Sequence, residues 1–263
     1  MQVDHVERLK YWFDAYTRDF LSGDAEADSP LILKIEHTAR VCDNIRHLSR
    51  NIGLDQNARR VAEVIALFHD LGRFEQYRRY QTFDDRRSLN HALKGLAVLA
   101  DARLLDPLPG DESKIIRDAI RFHNASAIPQ GHASDSTLFM RLIRDADKLD
   151  IWHVFAGYYT RSTPQNPAVV QHLADQPTWE PKIVDAIQDR RPARFADMKS
   201  LNDFKLLQLS WVFGLHFETS AILARERGDL KTIARTLPFD KPVQTAVSTV
   251  MTQLEAAVDR CRT

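Results

Sequence analysis

The sequence predicts an all-α protein, and three observations carry that expectation. Apolar residues recur at helical spacing, with no run of alternating strands, no internal repeat and no low-complexity block. Residues that favour helix starts, such as Asp55 and Asn90, stand where the periodic stretches begin. Glycines and turn-rich segments such as "PQGHASDS" fall between those stretches. With 263 residues, 44% hydrophobic and 27% charged, the chain suits one large or two small globular domains with a sizeable core.

In chain order, Ser29-Pro30 predicts an N-cap with proline at the first helical position, opening a helix over about 30–52 that stops before Gly53. Asp55 is placed to cap a second helix ending at Gly72, read as a C-terminal glycine. Its stretch "VAEVIALF" is apolar almost all round, so this helix should be central. A polar loop follows with Arg73, Arg78, Arg79, Arg86 and Arg87. Ser88 or Asn90 opens a third helix, to about Arg103. Residues 112–124 give a fourth and about 136–159 a fifth. Pro164, Pro167, Pro177, Pro181 and Pro192 punctuate residues 160–195, after which helices are expected at about 181–189, 201–227 and 240–261. "LLQLSWVFGLHFETSAIL", interrupted by Gln208, Ser210, His216 and Glu218, reads as a core helix. The expected arrangement is one all-helical domain over residues 1–263, the later helices packed on the first five.

Lys+Arg and Asp+Glu are both 36, so net charge gives no argument for nucleic acid or a membrane surface. Cys42 and Cys261 suggest neither a disulfide framework nor a zinc ribbon, and a reducing cytoplasm is the expected location. "MQVDHVERLKYWFDAY" has no apolar leader core, and no stretch approaches the roughly 18–20 apolar residues that cross a bilayer.

Helical wheels at about 100° per residue show what shares a face with each polar residue. Leu33, His37, Val41 and Leu48 form one stripe, and Ala62, Ile65, Ala66 and His69 another. His91 aligns with Gly95 and Val98, and His123 with Ile116, Ala119 and Ile120. Asp147 lies beside Ile143 and Ala146, with Asp145 roughly opposite. A single histidine on an apolar stripe is usually a hydrogen-bonded core residue. Asp70, however, ends a helix where the dipole disfavours a carboxylate. Buried carboxylates among neutral imidazoles need positive charge, and no lysine or arginine is read on those stripes. Divalent metal ions supply such charge to imidazole and carboxylate ligands.

The order His37, His69-Asp70, His91, His123, Asp147 resembles the HD superfamily of metal-dependent phosphohydrolases. The resemblance rests on "HTARV", "FHDLGR", "SLNHALKGLAVL", "IRFHN" and "RDADKLDIW", over roughly residues 30–160. It implies an all-α HD-domain bundle with one metal held by His37, His69, Asp70 and Asp147. His91 and His123 resemble the binuclear branch, in which they hold a second metal and Asp70 bridges the two. The glycine-tyrosine-proline signature of cyclic-di-GMP phosphodiesterases is missing, which argues against that substrate. Arg73 stands where the family often has lysine.

The function expected on this basis is hydrolysis of a phosphomonoester or phosphodiester, such as a nucleotide or small phosphoester, by hydroxide shared between two ions. Catalytic roles fall to Asp70 and Arg73, and substrate binding to Arg73 and Lys148, which would neutralise phosphoryl charge. The ions expected are manganese or iron, with nickel, cobalt and zinc as alternatives. Two other readings share the ligand set: a di-iron oxygenase similar to myo-inositol oxygenase, and a metal-stabilised non-catalytic sensor. His5, His47, His132, His153, His172 and His216 are read as ordinary histidines.

Overall fold

A computed structural model describes residues 1–161 and 166–259. Pro164, Cys261 and the end of the helix expected at 240–261 lie outside the described residues. Helices and 3-10 turns make up the regular structure, and no strand is formed among the described residues beyond an isolated parallel bridge between Ala174 and Ser200. The chain divides into two compact units, Met1–Asp147 and one beginning at Lys148.

The first unit runs α1 (Val3–Arg18), α2 (Ala25–Asn51), α3 (Gln56–Phe68), α4 (Gly72–Tyr80), α5 (His91–Asp101), α6 (Gly110–Phe122) and the first half of α7 (Ser134–Thr160). α3 is the hub: it packs on α1, α2 and α6, and Val64, Ile65, Ala66 and Phe68 are fully buried. That matches its apolar sequence on every face. α1 was not apparent from its charged composition. Val6, Leu9 and Phe13, spaced by three and four, nevertheless form a buried stripe.

Several local expectations are corrected. α2 begins before Ser29, because Asp24 is the stronger cap: its carboxylate accepts from the backbone N–H groups of Glu26 and Ala27, both at 2.9 Å. Pro30 therefore lies inside the helix. Gly72 does not terminate the second helix. α3 ends at Phe68, and Gly72 opens α4, which carries Arg73, Arg78 and Arg79 on a helix rather than a loop. A Cβ at Gly72 would stand 2.1 Å from the His91 carbonyl oxygen and 2.7 Å from the Gly95 nitrogen. This glycine is thus needed for the close approach of α4 to α5. Asp55 and Asn90 do cap α3 and α5, accepting from the backbone N–H groups of Ala58 and Leu93.

The second unit contains the rest of α7, then α8 (Pro181–Gln188), α9 (Leu201–Ser210), α10 (Glu218–Arg227), α11 (Asp229–Ala234) and α12 (Lys241–Asp259). The single helix expected over 201–227 is broken. After Ser210 the chain passes through a 3-10 turn, Trp211–Gly214, and is extended at Leu215 and Phe217. Aromatic and β-branched residues followed by glycine are poor at propagating a helix, and this stretch has all three. Gln208 anchors the unit, its carbonyl accepting from Trp152 Nε1 at 2.8 Å and its side-chain oxygen from the Tyr159 hydroxyl at 3.0 Å.

Gly72→Ala should lower unfolding stability by about 1–3 kcal/mol, the usual cost of forcing volume into a packed contact. Gly157→Ala on α7, where a Cβ meets nothing within 4 Å, should leave stability unchanged or raise it slightly. Urea titrations of the two variants side by side check this.

Candidate metal centre

The helices of the first unit deliver their polar residues to one place. His37 projects from α2, His69 and Asp70 from the end of α3, His91 from the first position of α5, His123 from the end of α6, and Asp147 from α7. The four imidazoles and Asp70 are each at most 5% exposed, whereas the Asp147 side chain is 18% exposed. All six expected ligands therefore come together.

Asp70 is the centre. Its Oδ2 lies 3.6 Å from His37 Nε2 and 3.8 Å from His69 Nε2. Its Oδ1 lies 3.2 Å from His91 Nε2 and 3.8 Å from His123 Nε2. One carboxylate thus presents one oxygen to each of two imidazole pairs. Asp147 Oδ1 completes the first pair, 3.2 Å from His37 Nε2 and 3.8 Å from His69 Nε2.

The histidines are turned by their outer nitrogens. His69 Nδ1 lies 2.7 Å from the Ala66 carbonyl oxygen, and His123 Nδ1 lies 2.7 Å from that of Ile120. A carbonyl only accepts, so each Nδ1 carries a proton and each ring turns its Nε2 to the centre. Arg144 of α7 holds the end of α6 in place, its Nη1 donating to the carbonyl oxygens of Phe122, His123 and Ala125. Burial, opposed by the hydrogen bond to Asp70 but aided by repulsion from His91 and His69, pushes His123 down to about 4.

This arrangement suits a cation. His91 Nδ1 faces the Asp85 carboxylate, 2.7 Å from Oδ2 and 2.9 Å from Oδ1, and so also acts as a donor. His91 Nε2 and His123 Nε2 lie 3.0 Å apart, with Asp70 Oδ1 beside them, and in neutral rings they would be two facing lone pairs. A proton or a metal ion must offset that convergence of acceptors. His37, His69 and Asp70, and separately Asp70, His91 and His123, each bring ligand atoms within 4.8 Å of one another. Both sets could hold a metal ion, with Asp70 common to them.

Two neighbours of the site were missed in the sequence. Lys34, three residues before His37 on α2, places its Nζ 2.6 Å from Asp70 Oδ2. A basic residue therefore does lie on the His37 face, contrary to the expectation from the apolar stripes, because residues three apart on a helix share a face. Burial raises the Asp70 pKa, but Lys34, His69 and Arg73 outweigh it and hold the carboxyl well below the usual carboxylate range. Asp85, beside Arg86 in the polar segment after Gly72, is the other. Asp145 is also fully buried despite its expected direction.

Arg73 Nε stands 3.4 Å from Asp70 Oδ1, while its Nη1 donates to Gln76 Oε1 at 2.8 Å, the Phe83 carbonyl at 2.6 Å and Asp85 Oδ1 at 2.8 Å. Glu75 pairs with Arg78. Lys148 donates to the Gly214 carbonyl at 3.3 Å within the second unit. Of the other histidines, His47, His153, His172 and His216 are exposed, His132 pairs with Asp118, and His5 lies against Arg8.

A helical unit that gathers imidazoles and carboxylates around one shared aspartate has the construction of a divalent-metal protein. Residues 35–152 match the family model of the HD domain, and the chain carries an HD domain over that span. HD domains bind divalent metals and are typically metal-dependent hydrolases. No curated protein and no solved structure matches the chain. No helix among the described residues is long and apolar enough to cross a membrane.

Two outcomes are expected. Lys34→Met should destabilise the metal-free protein by about 1–3 kcal/mol, since a buried carboxylate loses its nearest cation. The same change should tighten Mn²⁺ binding, because a competing positive charge is gone; chemical denaturation and calorimetric titration read the two effects. In chelator-treated protein, His123 binds its proton less readily folded than unfolded, its ordinary value being 6.5. Its share of stability should be complete above pH 6.5 and lost as pH falls towards 4. Replacing His123 by Asn should flatten that part of the stability profile.

Proposed function

We propose that the protein is a phosphohydrolase acting on a phosphomonoester or phosphodiester, a nucleotide or other small phosphoester, with two divalent ions, manganese or iron, in the centre. The single observation that supports this is Asp70, whose two oxygens face two separate imidazole pairs. His37, His69, Asp70 and Asp147 would hold one ion, and Asp70, His91 and His123 the other. The nitrogen-rich donor set favours manganese or iron over magnesium. When bound, such ions make water a nucleophile near neutral pH and neutralise charge on phosphoryl oxygens.

The chain's own residues supply the rest. The hydrogen bonds of His69 and His123 to backbone carbonyls fix the ring orientation before any ligand arrives. Arg73, held by three acceptors on Nη1, is a fixed positive charge at the Oδ1 side of Asp70 rather than a swinging arm. It would attract a phosphoryl anion and orient it without costing side-chain entropy. Lys34, 17% exposed and 5.4 Å from the centre of the Phe83 ring, is the second cation beside Asp70 and would bind a substrate oxygen. Lys148 keeps its proposed substrate role as the residue following Asp147.

The test is a phosphoester panel of aryl monoesters, aryl diesters, nucleotides and cyclic nucleotides, run with manganese and with iron after chelation. Turnover that depends on metal, and that falls to background in a folded Asp70→Ala variant with reduced metal content, is the expected result. Wild-type turnover in that variant, or a metal-loaded protein inert on the whole panel, overturns the proposal.

A further inference from the structure

Four polar groups from different parts of the first unit converge on the Asp85 carboxylate. His91 Nδ1 lies 2.7 Å from Oδ2. Arg73 Nη1 donates to Oδ1 at 2.8 Å, and Gln76 Nε2 donates to the same oxygen at 2.9 Å. Asn124 Nδ2 donates to Oδ2 at 3.1 Å. The side chain is 25% exposed, and the chain around it is pinned: Gln76, itself fully buried, also donates to Ser88 Oγ and to the Leu89 carbonyl. The segment between α4 and α5 is therefore not a solvated loop at this point. It is folded back over α4 to place one carboxylate behind His91.

Asp85 stands one residue away from the cluster, touching the outer face of one imidazole and the guanidinium next to Asp70. A carboxylate that accepts from Nδ1–H fixes a neutral imidazole in one tautomer and raises the basicity of its Nε2. Two of the other imidazoles are supported differently. His69 and His123 lean on neutral backbone carbonyls instead. The second half of the centre is also the poorer in charge: it has Asp70 alone, where the first has Asp70 and Asp147.

We propose that Asp85 is the positioning residue of the second half of the centre, turning His91 through Nδ1 so that Nε2 faces the ion and holding the Arg73 guanidinium in register with Asp70. The inference rests on the metal-centre reading above. Asp85 touches neither ion nor substrate. It acts through His91 and Arg73, so its loss should spare the His37, His69, Asp147 half.

The test uses the full chain in three forms: wild type, Asp85→Ala and Asp85→Glu. Imidazole ¹⁵N spectra of chelator-treated protein at pH 8 report the tautomer of His91 with no metal involved. The Nδ1–H form is expected in the wild type, mixed tautomers in Asp85→Ala, and partial recovery in Asp85→Glu. Calorimetric titration with Mn²⁺ then reports the two sites separately. Asp85→Ala should weaken one by about 10–100-fold, the usual effect of losing a partner behind a ligand histidine. The other should change little, and Asp85→Glu should restore part of the loss. His91→Ala identifies the weakened site, since it should remove that same one.

An unchanged His91 tautomer in Asp85→Ala overturns the proposal, as does equal weakening of both sites. If wild type binds no Mn²⁺, the metal reading fails, whereas the tautomer spectra still decide whether Asp85 orients His91. Should Asp85→Ala not fold, Asp85→Asn keeps the volume and removes the charge. Both readouts then apply to it, with the same outcomes deciding.

Discussion

The structure of the first unit turns on a carboxylate in an unfavourable place. Asp70 follows the last turn of the most buried helix, where unsatisfied carbonyl groups carry partial negative charge. The helix end itself does not stabilise it there. It is held by groups from four elements: Lys34 and His37 from α2, Arg73 from α4, His91 from α5 and His123 from the end of α6. Each of those elements brings a nitrogen within 4 Å of the Asp70 carboxylate, so the packing of these helices is tied to one side chain. Gly72 shows how far this reaches. The turn from Asp70 into α4 is tight enough for α4 to press against the His91 backbone, and only a residue without a Cβ allows it.

The same oxygen, Asp70 Oδ2, lies within 2.6 Å of Lys34 Nζ and within 4 Å of two imidazole nitrogens. An ammonium and a divalent ion would compete for it. The protein thus contains its own counter-charge to Asp70, carried on the flexible stem of Lys34. Arg73 differs: anchored by three acceptors on one nitrogen, it cannot leave without exposing the Phe83 carbonyl and Asp85. Two cations beside one carboxylate therefore do different work, the one movable and the other fixed.

Much of the centre was legible in the sequence because helices convert spacing into direction. His37, His69, His91 and His123 each share a face with apolar residues, so they had to point inward, and the structure buries all four. Wheels read for apolar stripes have a blind spot, however. Lys34 shares the His37 face, but as a charged residue it was not counted. Asp85 lies in a 3-10 turn, Asp85–Arg87, where no period assigns a direction to a side chain. Asp145 shows the limit from the other side: α7 is buried around most of its circumference near that point, so the face opposite Asp147 is not solvent. The boundary errors have a common cause as well. Ser29 and Gly72 are plausible punctuation in isolation. Asp24 prevails as a cap by accepting two backbone amides, and Gly72 serves a contact with residues about twenty positions away.

The two halves of the centre are not equivalent, and the difference follows from counting charge. The first set offers two imidazoles and two carboxylates, Asp70 and Asp147. The second offers two imidazoles and only the far oxygen of Asp70. A divalent ion in the second set would be less well neutralised and would depend more on the electron-donating strength of its imidazoles. Charge placed behind an imidazole partly makes up for charge missing in front of it. Asp85 stands behind His91 in the half that has one carboxylate, whereas carbonyls stand behind His69 and His123. The folded-back segment between α4 and α5 is then part of the centre's electrostatics, and its four converging hydrogen bonds have a reason beyond keeping a loop in place.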